Sequence, residues 1–283
     1  MNAIKFARKL ALPLFVALAY VPAQALAAPI LSPTLESFAV LGNTANTSAN
    51  ISTIGGNVGS AAISTTPTNW SFTSGSLEPA TTGQALLDLT TARNTIGVPV
   101  GGPASLNGTF TAGTYDFGAG LLGATDTITL DGQGSNTAVW IFRFASSLTT
   151  VQGSIFNLIN VGNGSGVGLY WNVGSSATLG GDTFAGNVMA LTSITSDGNL
   201  NMSCGRLLAN VGKVGLNGVG STISTGCLGS SGVSGTVASA SGSGGLDQVA
   251  AIPEPETYAM LLSGLGLMGF VARRRQRNLA AAA

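Results

Sequence analysis

The 283 residues contain no histidine, and only 8% of them are charged. The first absence removes the base of Ser-His-Asp and Cys-His sites and the commonest ligand of zinc. Two cysteines, Cys204 and Cys227, are too few for a metal cluster. Cations are scarce as well. Between residues 28 and 252 only Arg93, Arg143, Arg206 and Lys213 stand against nine acids, a net charge of −5. Neutralising a phosphate backbone needs clustered Lys and Arg, so this body argues against nucleic acid as a partner. Carboxylate catalysis is what the inventory leaves open. Its candidates, Asp126, Asp131, Asp182 and Asp197, each sit beside Gly, Thr or Ser in an expected turn, where aspartate serves the backbone. No glycine-rich phosphate loop follows a strand and opens a helix. The reading is a non-enzyme, with no catalytic residue, no metal ligand and no cofactor.

Glycine, by contrast, is abundant at 41 residues, and it punctuates a repeat. From Val139 to Ser224 a three-part pattern returns about every twenty residues. Bulky apolar segments (139–144, 167–173, 187–191, 206–211) alternate with Thr/Ser-bearing ones (148–151, 177–180, 193–196, 213–216). A third set closes each cycle (154–160, 182–185, 199–202, 221–224). The clearest echo is Gly186–Ala190 against Gly205–Ala209, nineteen residues apart. Such a period predicts stacked rungs, because one unit cannot bury its apolar side alone. Upstream, Phe38–Leu41 and Ile51–Val58 read as strands separated by a polar stretch, 42–50. Trp70 and Phe72 supply bulk over one end, and Pro79–Ile96 reads as an amphipathic helix stopped by Gly97 and Pro99. Gly101–Gly123 reads as turn-rich.

The ends differ from the body. Lys5, Arg8 and Lys9 precede an apolar run from Leu10 to Val21 and then Ala23, Ala25 and Ala27, so residues 1–27 are expected to be a secretory signal peptide. A membrane anchor fits the run less well, since it is short and broken by Pro13. Residues 28–228 form the expected folded domain, and 229–252 a Ser/Gly-rich linker. Then come Pro253-Glu254-Pro255, a fifteen-residue apolar run from Tyr258 to Ala272, and Arg273, Arg274, Arg275 and Arg277. As a helix that run is about 22 Å long, short of a ~30 Å hydrocarbon core. Residues 253–278 resemble the PEP-CTERM sorting signal of Gram-negative bacteria. The resemblance implies an exosortase as processing partner, only transient membrane contact, and delivery to the outer surface or medium. A plain tail anchor is the alternative.

If Leu200 and Thr222 are equivalent on successive rungs, Cys204 maps to position 226, one from Cys227. Rungs about 4.8 Å apart would allow a disulfide, worth about 3 kcal/mol in the chain-entropy picture. Two free buried thiols are the alternative.

The second strand set carries Thr149, Thr150, Thr178, Ser193 and Thr195. Stacking would bring these into ladders able to order water through hydroxyls and methyls together, although threonine is also simply a good strand residue. At this point the residues resemble a family. Phe38–Leu41, Ile54–Gly59 and Leu106–Tyr115 look like its N-terminal half. Val139–Phe142, Tyr170–Gly180 and Gly205–Ala209 look like its C-terminal half. It is the microbial ice-binding-protein-like family. The resemblance implies a mainly β fold, an irregular right-handed three-sided β-solenoid with one long α-helix packed alongside. It also implies a discontinuous rung order, in which N-terminal strands complete later rungs. Members often carry Thr-Ala/Gly-x-Thr/Asn on the ice face; Thr44–Thr47 and Thr111–Thr114 match, though a pattern this loose recurs by chance. The expectation is a secreted, non-enzymatic protein whose partner is the ice crystal surface, with Thr44, Thr47, Thr149, Thr178, Ser193 and Thr195 as candidate contacts. The alternative is an exopolysaccharide-matrix or cell-surface adhesion protein on the same scaffold.

Overall fold

The computed structural model describes residues 30–61, 69–135, 137–161, 167–202 and 204–225. The leader, the linker, the sorting tail and Cys227 lie outside them. The chain opens with α1 (Pro33–Glu36), β1 (Phe38–Gly42), β2 (Thr47–Ser48), β3 (Ser52–Gly55), β4 (Asn57–Ser60) and β5 (Trp70–Ser74). After α2 (Pro79–Ile96) come β6 (Gly108–Thr111), β7 (Gly113–Phe117), β8 (Gly120–Leu122), β9 (Thr127–Asp131), β10 (Val139–Phe144), β11 (Leu148–Thr150) and β12 (Ile155–Ile159). The last strands are β13 (Gly168–Val173), β14 (Ala177–Thr183), β15 (Gly186–Ala190), β16 (Ile194–Met202), β17 (Gly205–Ala209), β18 (Val214–Leu216) and β19 (Thr222–Ser224).

Among the described residues the strands form sheets of seven, nine and three, and every pairing is parallel. Parallel ladders follow from the repeat: each cycle returns the chain to the same sheet in the same direction, one strand further along. The nineteen-residue echo is such a pair, in register from Gly186↔Gly205 to Ala190↔Ala209. Gly186 is needed there. Its φ is +94°, and a Cβ would lie 2.7 Å from Leu169 Cγ and Trp171 Nε1.

Order in space differs from order in the chain. β1 pairs with β17, β2 with β18 and β3 with β19, so the N-terminal strands complete the ladders that the C-terminal strands leave open.

The repeat as read from sequence needs three corrections. Gly101–Gly123, read as turn-rich, holds β6, β7 and β8, and the polar stretch 42–50 holds β2. β14 and β16 continue past the breaks expected after Gly180 and Ser196, because Gly180↔Asp197, Asp182↔Leu200 and Thr183↔Asn201 are paired, with an irregularity after Gly180 where β16 carries one residue more than β14. Asp182 and Asp197 therefore lie in strands, not turns. Finally, Thr222 pairs with Asn201 and not with Leu200. Counted on from Met202↔Ile223, the equivalent of Cys204 moves from position 226 to 225. Cys204 is buried at 6% exposure.

Apolar side chains fill two compartments. Inside the ladders, Phe142 stacks on Trp171 with ring centroids 4.6 Å apart, and Phe144, Phe156 and Phe184 surround the indole. Both buried indoles are satisfied: Trp140 Nε1 donates to Phe110 O at 2.9 Å and Trp171 Nε1 to Ala185 O at 2.8 Å. Outside the seven-stranded sheet, Ala85, Leu89, Ala92 and Ile96 of α2 pack on Phe38, Leu41, Tyr170, Met189 and Leu208. This second layer explains why β1, β13, β15 and β17 are buried at every position, instead of alternating.

Polar links fix the helix on the sheet. Arg93, buried on α2, donates to Val173 O at 2.9 Å and to Met189 O. Asn172 Nδ2 donates to Arg93 O and, at 2.6 Å, to Gly97 O beyond the helix end. Arg206 donates to Glu36 O at 2.9 and 2.7 Å and to Asn187 Oδ1 at 3.0 Å, tying α1 to β17 and β15. Burial pulls both guanidinium pKa values down to about 10, still far above neutral, so both remain cations holding carbonyls.

Candidate functional site

With the seven-stranded sheet covered by helix, the outward positions of the other two sheets are the exposed repeating surfaces. In the nine-stranded sheet the inward rank Leu148, Ala177, Ile194, Val214 is buried at 0–1% exposure. Alternation along a strand then sends the next residue outward. The strand register joins these outward residues into one ladder: Leu121↔Thr149↔Thr178↔Thr195↔Gly215↔Thr47. Steps between them are about 4.8 Å.

Thr149, Thr178 and Thr195 therefore occupy consecutive strands, half-buried at the base with their tips outward, and exposed Thr47 follows beyond Gly215. Their four hydroxyls make no hydrogen bond among the described residues, so each offers solvent a methyl and an unengaged O–H together. The remaining candidates sit differently. Ser193, two residues before Thr195 and half-buried, is on the same side of β16, at the corner where its carbonyl accepts from Ala177 N at 2.9 Å. Thr44 is exposed in the corner turn before β2, its N–H donating to Gly212 O at 3.2 Å, and stands outside the ladder. Thr150, counted with this set in the sequence, points inward: it is 3% exposed and its Oγ1 accepts from Gly180 N. Thr111 and Thr114, the second match to the motif, fall on β6 and β7 in two different sheets.

A second ladder escaped the sequence reading. Thr183↔Asn201↔Thr222↔Thr53↔Ser71 runs across β14, β16, β19, β3 and β5. Its signal is a polar residue followed by a large apolar one: Thr183-Phe184, Asn201-Met202, Thr222-Ile223, Thr53-Ile54 and Ser71-Phe72. The chain order hides it, because two of its five members come from the N-terminal strands. One end lies along a shallow groove of about 330 Å³ lined by Thr183, Asn199, Asn201 and Thr222. One end of this ladder thus borders a groove, and the ladder carries a carboxamide.

The acids serve local structure. Asp126 accepts from Gly123 N at 2.7 Å. Asp131 accepts from Gln133 N and Asn160 Nδ2, both at 2.9 Å, and these bonds hold its carboxyl below the usual range. Asp116 pairs with Arg143 at 2.6 Å on the seven-stranded sheet. Among the described residues no group of three or more His, Cys, Asp or Glu is placed to hold a metal. What the arrangement offers is a rigid periodic surface.

Residues 40–223 match the ice-binding-like family, and residues 251–275 match the PEP-CTERM protein-sorting motif. An ice-binding protein of Nostoc sp. (strain HG1) is 32% identical over 97% of this chain and 99% of its own. Two crystal structures share the fold. One is an ice-binding protein from the Antarctic ascomycete Antarctomyces psychrotrophicus, with a TM-score of 0.59 and 30% identity over 68% of this chain and 96% of that one. The other is an ice-binding protein from an Antarctic biological consortium, with a TM-score of 0.58 and 28% identity over 69% and 91%. With the family matched across most of the folded body and a relative aligned from end to end, this chain belongs to the ice-binding-like family.

Proposed function

We propose that this is a secreted, non-enzymatic ice-binding protein that adsorbs to ice through the ladder of Thr149, Thr178 and Thr195, with Thr47, Ser193 and Thr44 at its margin, and so restrains recrystallisation. The observation that carries this reading is the register. Three consecutive strands present the same side chain at one spacing, each with a methyl and an unengaged hydroxyl. A rigid lattice cannot adapt to its ligand, so the protein must supply the regularity, and stacked parallel strands over a packed core do so. In this reading the ladders close into a right-handed three-sided solenoid with α2 as its one long helix. Export removes residues 1–27; the body, 28–228, is followed by the linker 229–252 and by the sorting signal 253–278, which an exosortase processes.

The direct test is slow growth of an ice hemisphere from a dilute solution of the mature chain. Enrichment in the ice fraction and faceting of small crystals are expected; exclusion from ice with unchanged crystal shape would overturn the assignment. The sorting motif supports a second reading, adhesion within an exopolysaccharide matrix at the cell surface. Retention by matrix polysaccharide without partition into ice would favour it.

The disulfide belongs to the same proposal. Cys204 is buried and follows Met202 by two residues, while Cys227 follows Ile223, the partner of Met202, by four. Reduction is expected to lower the unfolding free energy by about 3 kcal/mol, the loop-closure value for a link of this length. Equal melting with and without reductant, together with two thiols titrating after unfolding in non-reducing denaturant, would show that the bond does not form.

A further inference from the structure

The threonine ladder has one break. Between Thr195 and Thr47 the register puts Gly215. Several glycines nearby are required by packing: a Cβ at Gly180 would lie 2.5 Å from Thr150 O, and one at Gly218 would lie 1.9 Å from Gly198 O. Gly215 is different. Its φ is not in the left-handed region, and a Cβ there would meet nothing closer than Thr47 Oγ1 at 3.4 Å. Neither backbone strain nor a clash at Cβ demands glycine at this position, although Gly215 is buried beneath its neighbours.

The next contacts of that Cβ are Asn217 Oδ1 and Lys213 Cε, both at 4.0 Å. The distance to Cε shows that the Lys213 stem lies over the gap, so this rung presents a cation where its neighbours present a methyl and a hydroxyl. An ammonium is a compact, strongly hydrated charge, and pressing it against a lattice that cannot solvate it is unfavourable.

We propose that Gly215, with Lys213 lying across it, ends the working ladder at three rungs, isolates Thr47 beyond it, and sets the limit on how tightly this face holds ice. The inference rests on the reading of the Thr149–Thr178–Thr195 ladder as the ice-contacting one. Threonine at 215 would continue the ladder to five threonines in unbroken order, with its hydroxyl beside Thr47 Oγ1. Removing the lysine as well would leave the rung uncharged.

The test compares Gly215→Thr, Lys213→Ser and the double variant of the mature chain with wild type and with Thr178→Tyr. The measurement is the fraction partitioned into ice at sub-saturating protein. Gly215→Thr is expected to raise the bound-to-free ratio by about fourfold, the change in equilibrium for one further buried methyl group, and the double variant to raise it further. Gly215→Ser, which adds a hydroxymethyl group without the γ-methyl, replaces the threonine variant if that one does not fold. No increase from any of these folded variants, while Thr178→Tyr abolishes partition, would overturn the role of Gly215 and leave the face in place. Unaltered partition in Thr178→Tyr would instead overturn the choice of face.

Discussion

Thr178→Tyr is expected to abolish partition into ice while leaving the fold intact. Thr178 is the middle of the three consecutive threonines, paired with Thr149 on one side and Thr195 on the other. A phenol at that point stands above the plane of its neighbours and holds both of them off any flat lattice. A flexible partner could close around the ring, but ice cannot. The expected loss is at least tenfold in affinity, that is about 1.4 kcal/mol or more. Thermal stability should stay within about 0.5 kcal/mol, because the side chain is at the surface of its strand. The control is Thr222→Tyr in the middle of the second ladder, which should partition as wild type does. If Thr222→Tyr loses ice and Thr178→Tyr keeps it, the active ladder is the one bordered by the Asn199–Asn201 groove.

The second large effect is on stability. Trp171→Ala should destabilise the fold by about 3–5 kcal/mol, the range for emptying a large aromatic site in a core. The indole is fully buried, stacks on Phe142 at 4.6 Å, lies 5.3 Å from Phe184, and donates to Ala185 O. Its removal leaves a cavity between adjacent strands and an unmatched carbonyl, and neither can collapse without breaking register with β10 and β15. Urea unfolding followed by near-ultraviolet circular dichroism measures the loss. A midpoint close to wild type would mean that the aromatic stack is not what holds these rungs together. A related consequence links the two experiments: a folded Trp171→Ala chain should also bind ice less well, since the ladder is only as regular as the core beneath it.

Much of this was legible in the chain, for physical reasons that differ from residue to residue. The echo of Gly186–Ala190 in Gly205–Ala209 survives in sequence because both faces of those strands are buried and tolerate few side chains. Thr149, Thr178 and Thr195 could be aligned because their strands follow one another in the same order in chain and space. Thr47 joins that ladder only through β2, whose pairing with β18 spans most of the chain, and no local period reports it. The second ladder is hidden from the sequence on the same ground. Asp182 and Asp197 read as turn residues because turn chemistry and a parallel strand with a local irregularity look alike when glycine precedes or follows the aspartate. Leu200 and Thr222 fall one residue out because the step between rungs is not constant: Ser196 pairs with Leu216, twenty residues on, and Asn201 with Thr222, twenty-one residues on. The gap at Gly215 was also invisible, since in a chain this rich in glycine only a register separates an architectural glycine from a replaceable one.

The crossing of chain order and spatial order has a consequence for biogenesis. β1 is completed by β17, and β3 by β19, across more than 160 residues of intervening chain. In a polypeptide delivered N-terminus first, Phe38–Ser60 emerges early and its neighbours emerge last. Until residues 205–225 arrive, the first strands have only each other, with open edges prone to pairing with another chain. The native state is therefore sealed at the last moment of delivery. A chain shortened before β17 should accumulate as an aggregating intermediate, not as a smaller version of the same fold.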